Sequence, residues 1–284
     1  TELIIHYKEM IMLNKKDLSK IGIGTWGVGG YMERDNSVDE QKQVKAIAYM
    51  LNKGINLVEA NDWYSQGYAV EILAKAIRES SVKREDIFVV QAVYLKNNTL
   101  NDVEAEVDKV MSILGTDYID SLQFTSSVFL QYGFDEACEV IQKLLDSGKV
   151  RYTSITNENL DLLKKYHSKF GEKLFSHEVC YNFEVRVNET EGMIPYANEH
   201  KILSVIYQPL RRNRTAGRNW PLLVELAKKY DKTQNQIVLA WLISKGYLPL
   251  TKSETVEHID EHLEATTITL EADDLAGMDN FTPP

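Results

Sequence analysis

The strongest indication of the fold is the stretch Gly54-Ile-Asn-Leu-Val-Glu-Ala-Asn-Asp-Trp-Tyr64-Ser-Gln-Gly67. Asn56–Glu59 has the apolar character of a short buried strand, and a helical pattern begins near Glu71. The segment between them is polar and aromatic. A carboxylate at the end of a strand and a phenol five residues later both face the space beyond that strand. In α/β proteins this space, outside the carboxyl ends of the strands, is where ligands and catalytic groups lie.

One pattern repeats along the chain, namely a short apolar strand, a loop and an amphipathic helix. The predicted strands are Ile21–Thr25, Asn56–Glu59, Ile87–Val93, Ser121–Thr125, Arg151–Thr156, Glu178–Asn182, Leu203–Gln208 and Leu248–Thr251. The predicted helices include Val38–Leu51, Glu71–Ser80, Leu100–Leu114, Asp135–Asp146, Leu160–Phe170 and Gly192–His200. Eight alternations predict a single-domain parallel (β/α)₈ TIM barrel over residues 1–284, preceded by a short N-terminal hairpin of Met10–Asn14 and Lys20–Thr25. A doubly wound open sheet is the alternative, but no G-x-G-x-x-G fingerprint follows the first strand.

Local signals predict where several helices begin and end. Ser37-Val-Asp-Glu40 and Thr233-Gln-Asn-Gln236 have the spacing of a capping box, in which two side chains satisfy free backbone amides. Gly54 and Gly148 follow predicted helices, where a residue with left-handed backbone angles ends the helix.

The composition is that of an ordinary globular protein, with 44% hydrophobic and 26% charged residues among 284. A net charge of -10 argues against a nucleic-acid-binding protein, which needs a basic surface for phosphates. The longest apolar runs, such as Leu239–Ile243, are too short to cross a bilayer. Cys138 and Cys180 occur in patterns of buried residues, so we expect free thiols and a cytoplasmic location. The start of the chain shows no cationic leader, so no signal peptide is expected.

A series of short motifs resembles the aldo-keto reductase superfamily from about Met10 to the C-terminus. The motifs are Gly22-Ile-Gly-Thr-Trp26, Gly54-Ile-Asn-Leu with Tyr64 and Gly67 downstream, Leu114-Gly-Thr-Asp-Tyr-Ile-Asp120, Gly148-Lys-Val-Arg-Tyr152, Tyr207-Gln-Pro-Leu210 and Leu250-Thr-Lys-Ser253. The resemblance implies a TIM barrel that binds NADP(H) in an extended pose, without a Rossmann domain, and reduces aldehydes or ketones.

The same resemblance implies a catalytic tetrad of Asp, Tyr, Lys and His, of which this chain retains only the tyrosine. By position, Tyr64 is the tyrosine, Glu59 replaces the aspartate, Ala92 the lysine and Thr125 the histidine. Glu178 stands where the family has a glutamine under the nicotinamide. An ammonium group next to the phenol eases its ionisation, and Ala92 supplies none, so we expect impaired carbonyl reduction.

The replacement of the lysine by Ala92 suggests a second role for Glu59. A carboxylate beside Trp26 and Trp63, with no cationic partner, is partly desolvated, which raises its pKa towards neutrality. Glu59 is then a candidate general base, with Gln91 and Thr125 as hydrogen-bond donors to a developing anion.

The resemblance also implies positions that hold the cofactor. Thr156 and Asn157 are expected to bind the carboxamide, Tyr207 to stack on the nicotinamide, and Lys252 with Ser253 to bind the adenosine phosphate. Leu210, Arg212, His258 and Glu261 complete the predicted set, and His262 replaces the usual asparagine.

Four arginines lie within the loop Arg211–Asn219, which follows the seventh strand, and barrels often build a phosphate site there. His258 and His262 have the spacing of one helix face, but no third ligand is identifiable, so no metal site is expected.

Three functional hypotheses follow, each with a small-molecule ligand and neither nucleic acid nor membrane as a partner. The first is an NADP(H)-dependent carbonyl oxidoreductase with impaired activity. The second is a barrel repurposed, naturally or by engineering, for proton abstraction by Glu59, as in an isomerase, lyase or eliminase. The third is a nucleotide-binding protein without catalytic activity.

Overall fold

Eight parallel strands close into a barrel in the computed structural model, which describes residues 17–95 and 99–282. The strands are Gly22–Gly24 (β1), Leu57–Asn61 (β2), Phe88–Val93 (β3), Ile119–Thr125 (β4), Val150–Thr156 (β5), Leu174–Cys180 (β6), Leu203–Tyr207 (β7) and Leu248–Thr251 (β8). Each strand pairs with the next, and β1 pairs with β8. The predicted (β/α)₈ barrel is therefore confirmed. The predicted strand Met10–Asn14 lies outside the described residues.

Helices connect the strands and cover the barrel. They are Glu40–Asn52 (α1), Tyr68–Glu79 (α2), Val103–Leu114 (α3), Ser126–Tyr132 (α4), Phe134–Asp146 (α5), Leu160–Phe170 (α6), Val187–Thr190 (α7), Met193–Glu199 (α8), Arg214–Gly217 (α9), Pro221–Tyr230 (α10), Gln234–Ser244 (α11), Val256–Glu264 (α12) and Ala272–Asn280 (α13). Across residues 17–95 and 99–282, none of the helices combines the length and apolar character needed to cross a bilayer.

The largest boundary error is at the sixth strand, whose predicted start is four residues too late. β6 starts at Leu174, whereas the prediction began at Glu178, because Ser176 and His177 interrupt the apolar run. Both polar residues are nevertheless buried. His177 lies 2.9 Å from Glu158 and 2.8 Å from Ser204, so its ring is hydrogen-bonded on both sides and does not need water.

The two predicted capping boxes have different outcomes. Thr233 and Gln236 form the reciprocal box that the sequence predicts. Ser37 is not the N-cap of α1, so that prediction is wrong. Asp39 caps the helix by accepting from the amide of Lys42 at 3.0 Å, because its carboxylate lies closer to the free amides of the first turn.

The barrel interior changes from apolar at its base to polar at its mouth. Seven side chains form the apolar base: Leu57, Phe88, Val90, Phe175, Val205, Leu248 and Leu250. Above them Ser154 bridges Ser121 at 2.7 Å and Ser176 at 2.8 Å. Alternate residues of a strand share a face. The residues two positions further along β2, β4 and β6, which are Glu59, Gln123 and Glu178, therefore point into the mouth.

The apolar base is close-packed against β1. A Cβ atom added at Gly22 would lie 2.8 Å from the side chains of both Leu248 and Leu250. This contact explains the glycine at the start of the Gly22-Ile-Gly motif, because a larger residue would push these leucines apart.

Candidate functional site

One cavity opens at the C-terminal ends of the strands, with a volume of about 650 Å³. This volume lies in the range of small-molecule sites. Of the site residues predicted from the sequence, all except Gln91 line it. They are Trp26, Glu59, Trp63, Tyr64, Thr125, Thr156, Asn157, Glu178, Tyr207, Leu210, Arg212, Lys252, Ser253, His258 and Glu261. The fold therefore brings together residues that are more than two hundred positions apart.

A tight turn after β2 holds Tyr64 in the cavity wall. Ser65 and Gln66 adopt left-handed backbone angles. The Ser65 amide donates to the carbonyl of Tyr31 at 2.7 Å, and the Ser65 hydroxyl donates to the carbonyl of Val28 at 2.9 Å. These bonds anchor the turn to the loop after β1. Left-handed angles are costly for residues other than glycine, and such strain is concentrated at functional sites.

Glu59 lies on β2 with its carboxylate in the cavity and only 3% of the residue exposed. It accepts a hydrogen bond from the Thr25 amide at 3.3 Å, and its carboxylate interacts with the Tyr64 hydroxyl. Burial raises the pKa of Glu59 to about 7, although both interactions favour the ionised form. The pKa of Tyr64 is strongly raised by burial and by the charges of Glu59 and Glu178.

Glu178 is a second buried carboxylate in the same cavity, with 6% exposed. The side-chain amide of Gln123 donates to its Oε2 atom at 3.0 Å. Burial, followed by the charge of Glu59, raises the pKa of Glu178. Within residues 17–95 and 99–282, neither carboxylate forms an ion pair with a lysine, arginine or histidine.

The positions of the implied lysine and histidine offer little acid–base chemistry. Ala92 lines the cavity with a methyl group. The Thr125 hydroxyl lies 2.9 Å from the Ser127 hydroxyl and accepts from the Ser127 amide, so it caps α4 as well as facing the cavity. Lys96, three positions after the end of β3, lies outside the described residues.

Gln91 does not reach the cavity. Its neighbour Val90 belongs to the interior base and Ala92 lines the mouth, so Gln91 lies on the opposite face of β3. Its amide donates to the carbonyl of Ala92 at 2.9 Å. The prediction that Gln91 donates to an anion in the pocket is therefore wrong.

Aromatic rings form the wall next to Glu59. Trp26 packs edge-on against Tyr64, with ring centroids 4.9 Å apart, and is stacked with Trp63 at 6.3 Å. Trp63 stacks in turn on Tyr94 at 4.9 Å. These rings line the same cavity as Glu59 and give its wall an aromatic surface.

The cations of the cavity lie at its other end, where β8 and the loop after β7 meet. Burial and the charge of Arg212 lower the pKa of Lys252, while the carboxylate of Glu254 opposes the shift. The guanidinium of Arg212 lies 5.1 Å from the ring centroid of Tyr31. This basic end suits an anionic group such as a phosphate.

Only part of the arginine loop serves the cavity. Arg211 and Arg218 both pair with Glu184, the latter at 3.4 Å, and Arg214 donates to the carbonyl of Arg211. Arg211 and Arg212 have left-handed backbone angles, and the pairing with Glu184 fastens this strained segment over the cavity. The sequence did not indicate that two of the four arginines are neutralised.

Asn157 and Tyr207 form the side of the cavity between β5 and β7. The Tyr207 hydroxyl donates to Oδ1 of Asn157 at 2.8 Å. Asn157 has a φ angle of 56°, which asparagine tolerates better than most residues. The backbone amide of Asn157 donates to the backbone carbonyl of Glu178 at 3.3 Å. Because the Tyr207 hydroxyl holds Oδ1 of Asn157, the NH₂ group of the same side chain is oriented towards other partners.

The residues of α12 close the basic end. Glu261 accepts from the Thr233 hydroxyl at 2.5 Å. Burial lowers the pKa of His262 to about 4, so its ring is neutral at physiological pH. Among the described residues, no three His, Cys, Asp or Glu side chains are grouped as a metal site.

Several polar residues of the cavity were not predicted from the sequence, among them Asn61 and Gln123. Asn61 accepts from the Trp63 amide at 2.9 Å and also contacts Tyr64, and Gln123 holds Glu178. Each lies two residues from a predicted site residue on the same strand. The two-residue period of a strand was therefore the signal that identifies them.

Comparisons with known proteins agree with this geometry. Residues 20–282 match the model of the Aldo/keto reductase family. The methylglyoxal reductase YeaE of Escherichia coli is 26% identical over 277 residues, covering 94% of this chain and 92% of that protein. An NADPH-dependent alpha-keto amide reductase of Saccharomyces cerevisiae is 25% identical over 283 residues, covering 95% and 89%.

A solved structure has the same architecture. The thermostable aldo-keto reductase Tm1743, crystallised with the inhibitor epalrestat, superimposes with a TM-score of 0.83 at 29% identity, covering 92% of this chain and 94% of that one. The family match spans the whole barrel, and the fold and cavity agree with it. The chain therefore belongs to the aldo/keto reductase family.

Proposed function

We propose that this protein binds NADP(H) in the barrel mouth and catalyses hydride transfer to a small organic substrate, with Tyr64 and Glu59 as its proton-handling pair. The observation that carries the proposal is that one cavity is lined both by Tyr64 and Glu59 and by the basic residues Lys252 and Arg212. Two of the relatives support it, since one is named a methylglyoxal reductase and the other is NADPH-dependent.

The residues at the basic end fit the phosphate groups of the cofactor. Lys252 and Arg212 supply positive charge beside the Ser253 hydroxyl, all in the cavity lining. The NH₂ group of Asn157 is oriented by Tyr207 and suits a carboxamide oxygen. When bound, reduced nicotinamide supplies a hydride to an electrophilic carbon.

The acid–base groups predict slow reduction of carbonyl compounds. Burial and the charges of Glu59 and Glu178 raise the pKa of Tyr64, which makes it a weaker proton donor to a developing alkoxide. Neither Ala92 nor Thr125 supplies a cation or an imidazole. Loss of a positioned acid–base partner typically costs a factor of ~10²–10⁴ in rate, and we expect a deficit of that order.

Binding of NADPH tests the proposal directly. Titration followed by cofactor fluorescence is expected to give saturable binding to the wild-type chain, weakened at least about tenfold by Lys252→Met because a phosphate loses its charged partner. Lys45→Met, an exposed position on α1, serves as the matched control and is expected to bind like wild type. Absence of saturable binding by the wild-type chain would refute the proposal.

Proton abstraction by Glu59 is the second candidate function. It is favoured by a buried carboxylate that faces the cavity with its pKa raised to about 7, the range of an effective general base at neutral pH. A proton-transfer activity by this route has a pH–rate profile that rises through this pKa, and Glu59→Gln abolishes that limb. A limb that survives in Glu59→Gln assigns the base to another group.

A further inference from the structure

The cavity is divided into an acidic, aromatic end and a basic end. We define the acidic end by Glu59 and Glu178 with the rings of Trp26, Trp63 and Tyr64, all of which line the cavity. The basic end is lined by Lys252 and Arg212, and neither forms an ion pair with Glu59 or Glu178 in the described part of the chain.

Both carboxylates of the acidic end lack a cationic partner within the described part of the chain, although each is more than nine-tenths buried. Gln123 donates to Oε2 of Glu178, while Oε1 has no hydrogen-bond partner there. Buried carboxylates are normally paired with a cation, because desolvation of the charge is otherwise uncompensated. Ionisation of either carboxyl therefore leaves a buried negative charge that no cation of the described residues compensates.

The aromatic wall also favours a positively charged ligand, through cation–π interactions. The ring faces of tryptophan and tyrosine attract organic cations, with a contribution of about 0.5–2 kcal/mol for each favourable contact. Trp26 packs with Tyr64 and Trp63, and all three rings line the cavity that Glu59 and Glu178 also line. Carboxylates combined with such rings recognise ammonium and iminium groups better than neutral carbonyl groups.

We propose that the acidic end binds an organic cation, and that the substrate class of this protein is a protonated imine. This inference rests on the proposed function, because it names the acceptor of the hydride.

The chemistry of a protonated imine suits the residues that are present. Hydride addition to the carbon of C=NH⁺ moves the π electron pair to nitrogen and yields a neutral amine. Because the proton is already on nitrogen, no acid has to donate one, and the weak donor Tyr64 is no obstacle. In their ionised forms Glu59 and Glu178 favour binding of the imine in its protonated, reactive form, whereas they oppose the alkoxide that forms from a carbonyl compound.

Ligand binding to the full chain without cofactor tests the charge preference. The probes are choline and the uncharged alcohol in which a tert-butyl group replaces its trimethylammonium group, with tryptophan fluorescence as the readout. We expect choline to bind at least about tenfold more tightly, since the two probes have the same shape and differ in charge. Glu178→Gln is expected to reduce this preference severalfold, and Glu225→Gln, at an exposed position of α10, to leave it unchanged.

A second measurement tests the reaction. With NADPH present, methylpyrroline, a cyclic imine that is protonated near neutral pH, is expected to be reduced at least about tenfold faster than methylcyclopentanone. Equal binding of choline and its neutral counterpart, or no binding of either, would overturn the inference even when NADPH binds. Failure of NADPH to bind refutes the proposed function instead, so the two failures are distinguishable.

Discussion

Replacement of Glu178 by glutamine is expected to stabilise the protein at alkaline pH and to leave its stability nearly unchanged at acidic pH. Glu178 is buried, and its pKa is raised from 4.5 to about 8 by burial and by Glu59. The unfolded chain ionises this carboxyl near its ordinary pKa, while the folded chain retains the proton. Stability therefore falls with rising pH between the two pKa values. Glutamine has no proton to lose, and its carbonyl oxygen still accepts the hydrogen bond from Gln123.

The magnitude follows from proton linkage. One proton retained by the folded chain alone gives a slope of about 1.4 kcal/mol per pH unit. Between a pKa of 4.5 and one of about 8, this amounts to about 5 kcal/mol. Some relaxation around the charge reduces the cost, so we expect a gain of about 3–5 kcal/mol for the variant above pH 8. Below the ordinary pKa of a glutamate, the variant and the wild type should be equally stable.

Urea denaturation at a series of pH values measures this difference. The free energy of unfolding of the wild-type chain should decline more steeply with pH than that of Glu178→Gln. Glu225→Gln, which removes an exposed carboxylate, should follow the wild-type curve. Parallel curves for Glu178→Gln and wild type would show that Glu178 ionises in the folded protein as readily as in the unfolded chain, and would refute the reasoning.

Two further predictions concern the implied tetrad and the barrel base. The double variant Ala92→Lys with Thr125→His should increase NADPH-dependent reduction of methylglyoxal about 10²-fold or more, because an ammonium group lowers the pKa of Tyr64. Ala92→Met with Thr125→His is the uncharged control. Equal rates for the two double variants would contradict the prediction. Gly22→Ala should lower the free energy of unfolding by about 1–3 kcal/mol in urea denaturation, because its Cβ would lie 2.8 Å from two leucines. Gly217→Ala, whose Cβ meets nothing within 4 Å, is the control, and a neutral Gly22→Ala would count against close packing at the base.

The fold was predictable because hydrophobic period and helix ends are local properties. The barrel strands carry apolar runs, and the site residues lie at their ends, as the position of Tyr64 five residues after Glu59 indicated. The boundary of β6 was not predictable in the same way. Its polar residues Ser176 and His177 are buried only because Ser154 and Glu158 supply hydrogen bonds from other parts of the chain.

The error at Gln91 has a different origin. Adjacent residues of a strand lie on opposite faces, so Ala92 and Gln91 cannot both face the cavity. The outward position of Gln91 could therefore have been predicted from the sequence. The pairing of Arg211 and Arg218 with Glu184 could not be found in this way. It joins loops that follow different strands, and no local pattern specifies which arginine meets the carboxylate.

The two buried carboxylates connect stability to ligand binding. At alkaline pH the folded chain either keeps Glu59 and Glu178 protonated or holds two charges that repel each other without a counter-ion in the described residues. Natural domains are stable by only about 5–15 kcal/mol, so a cost of this size is a large fraction of the total. A bound cation removes the cost and must therefore stabilise the fold more at high pH than at low pH, since it binds the ionised form. The proposed cation would therefore act on stability as well as on substrate choice, because no cation of the described residues pairs with either carboxylate.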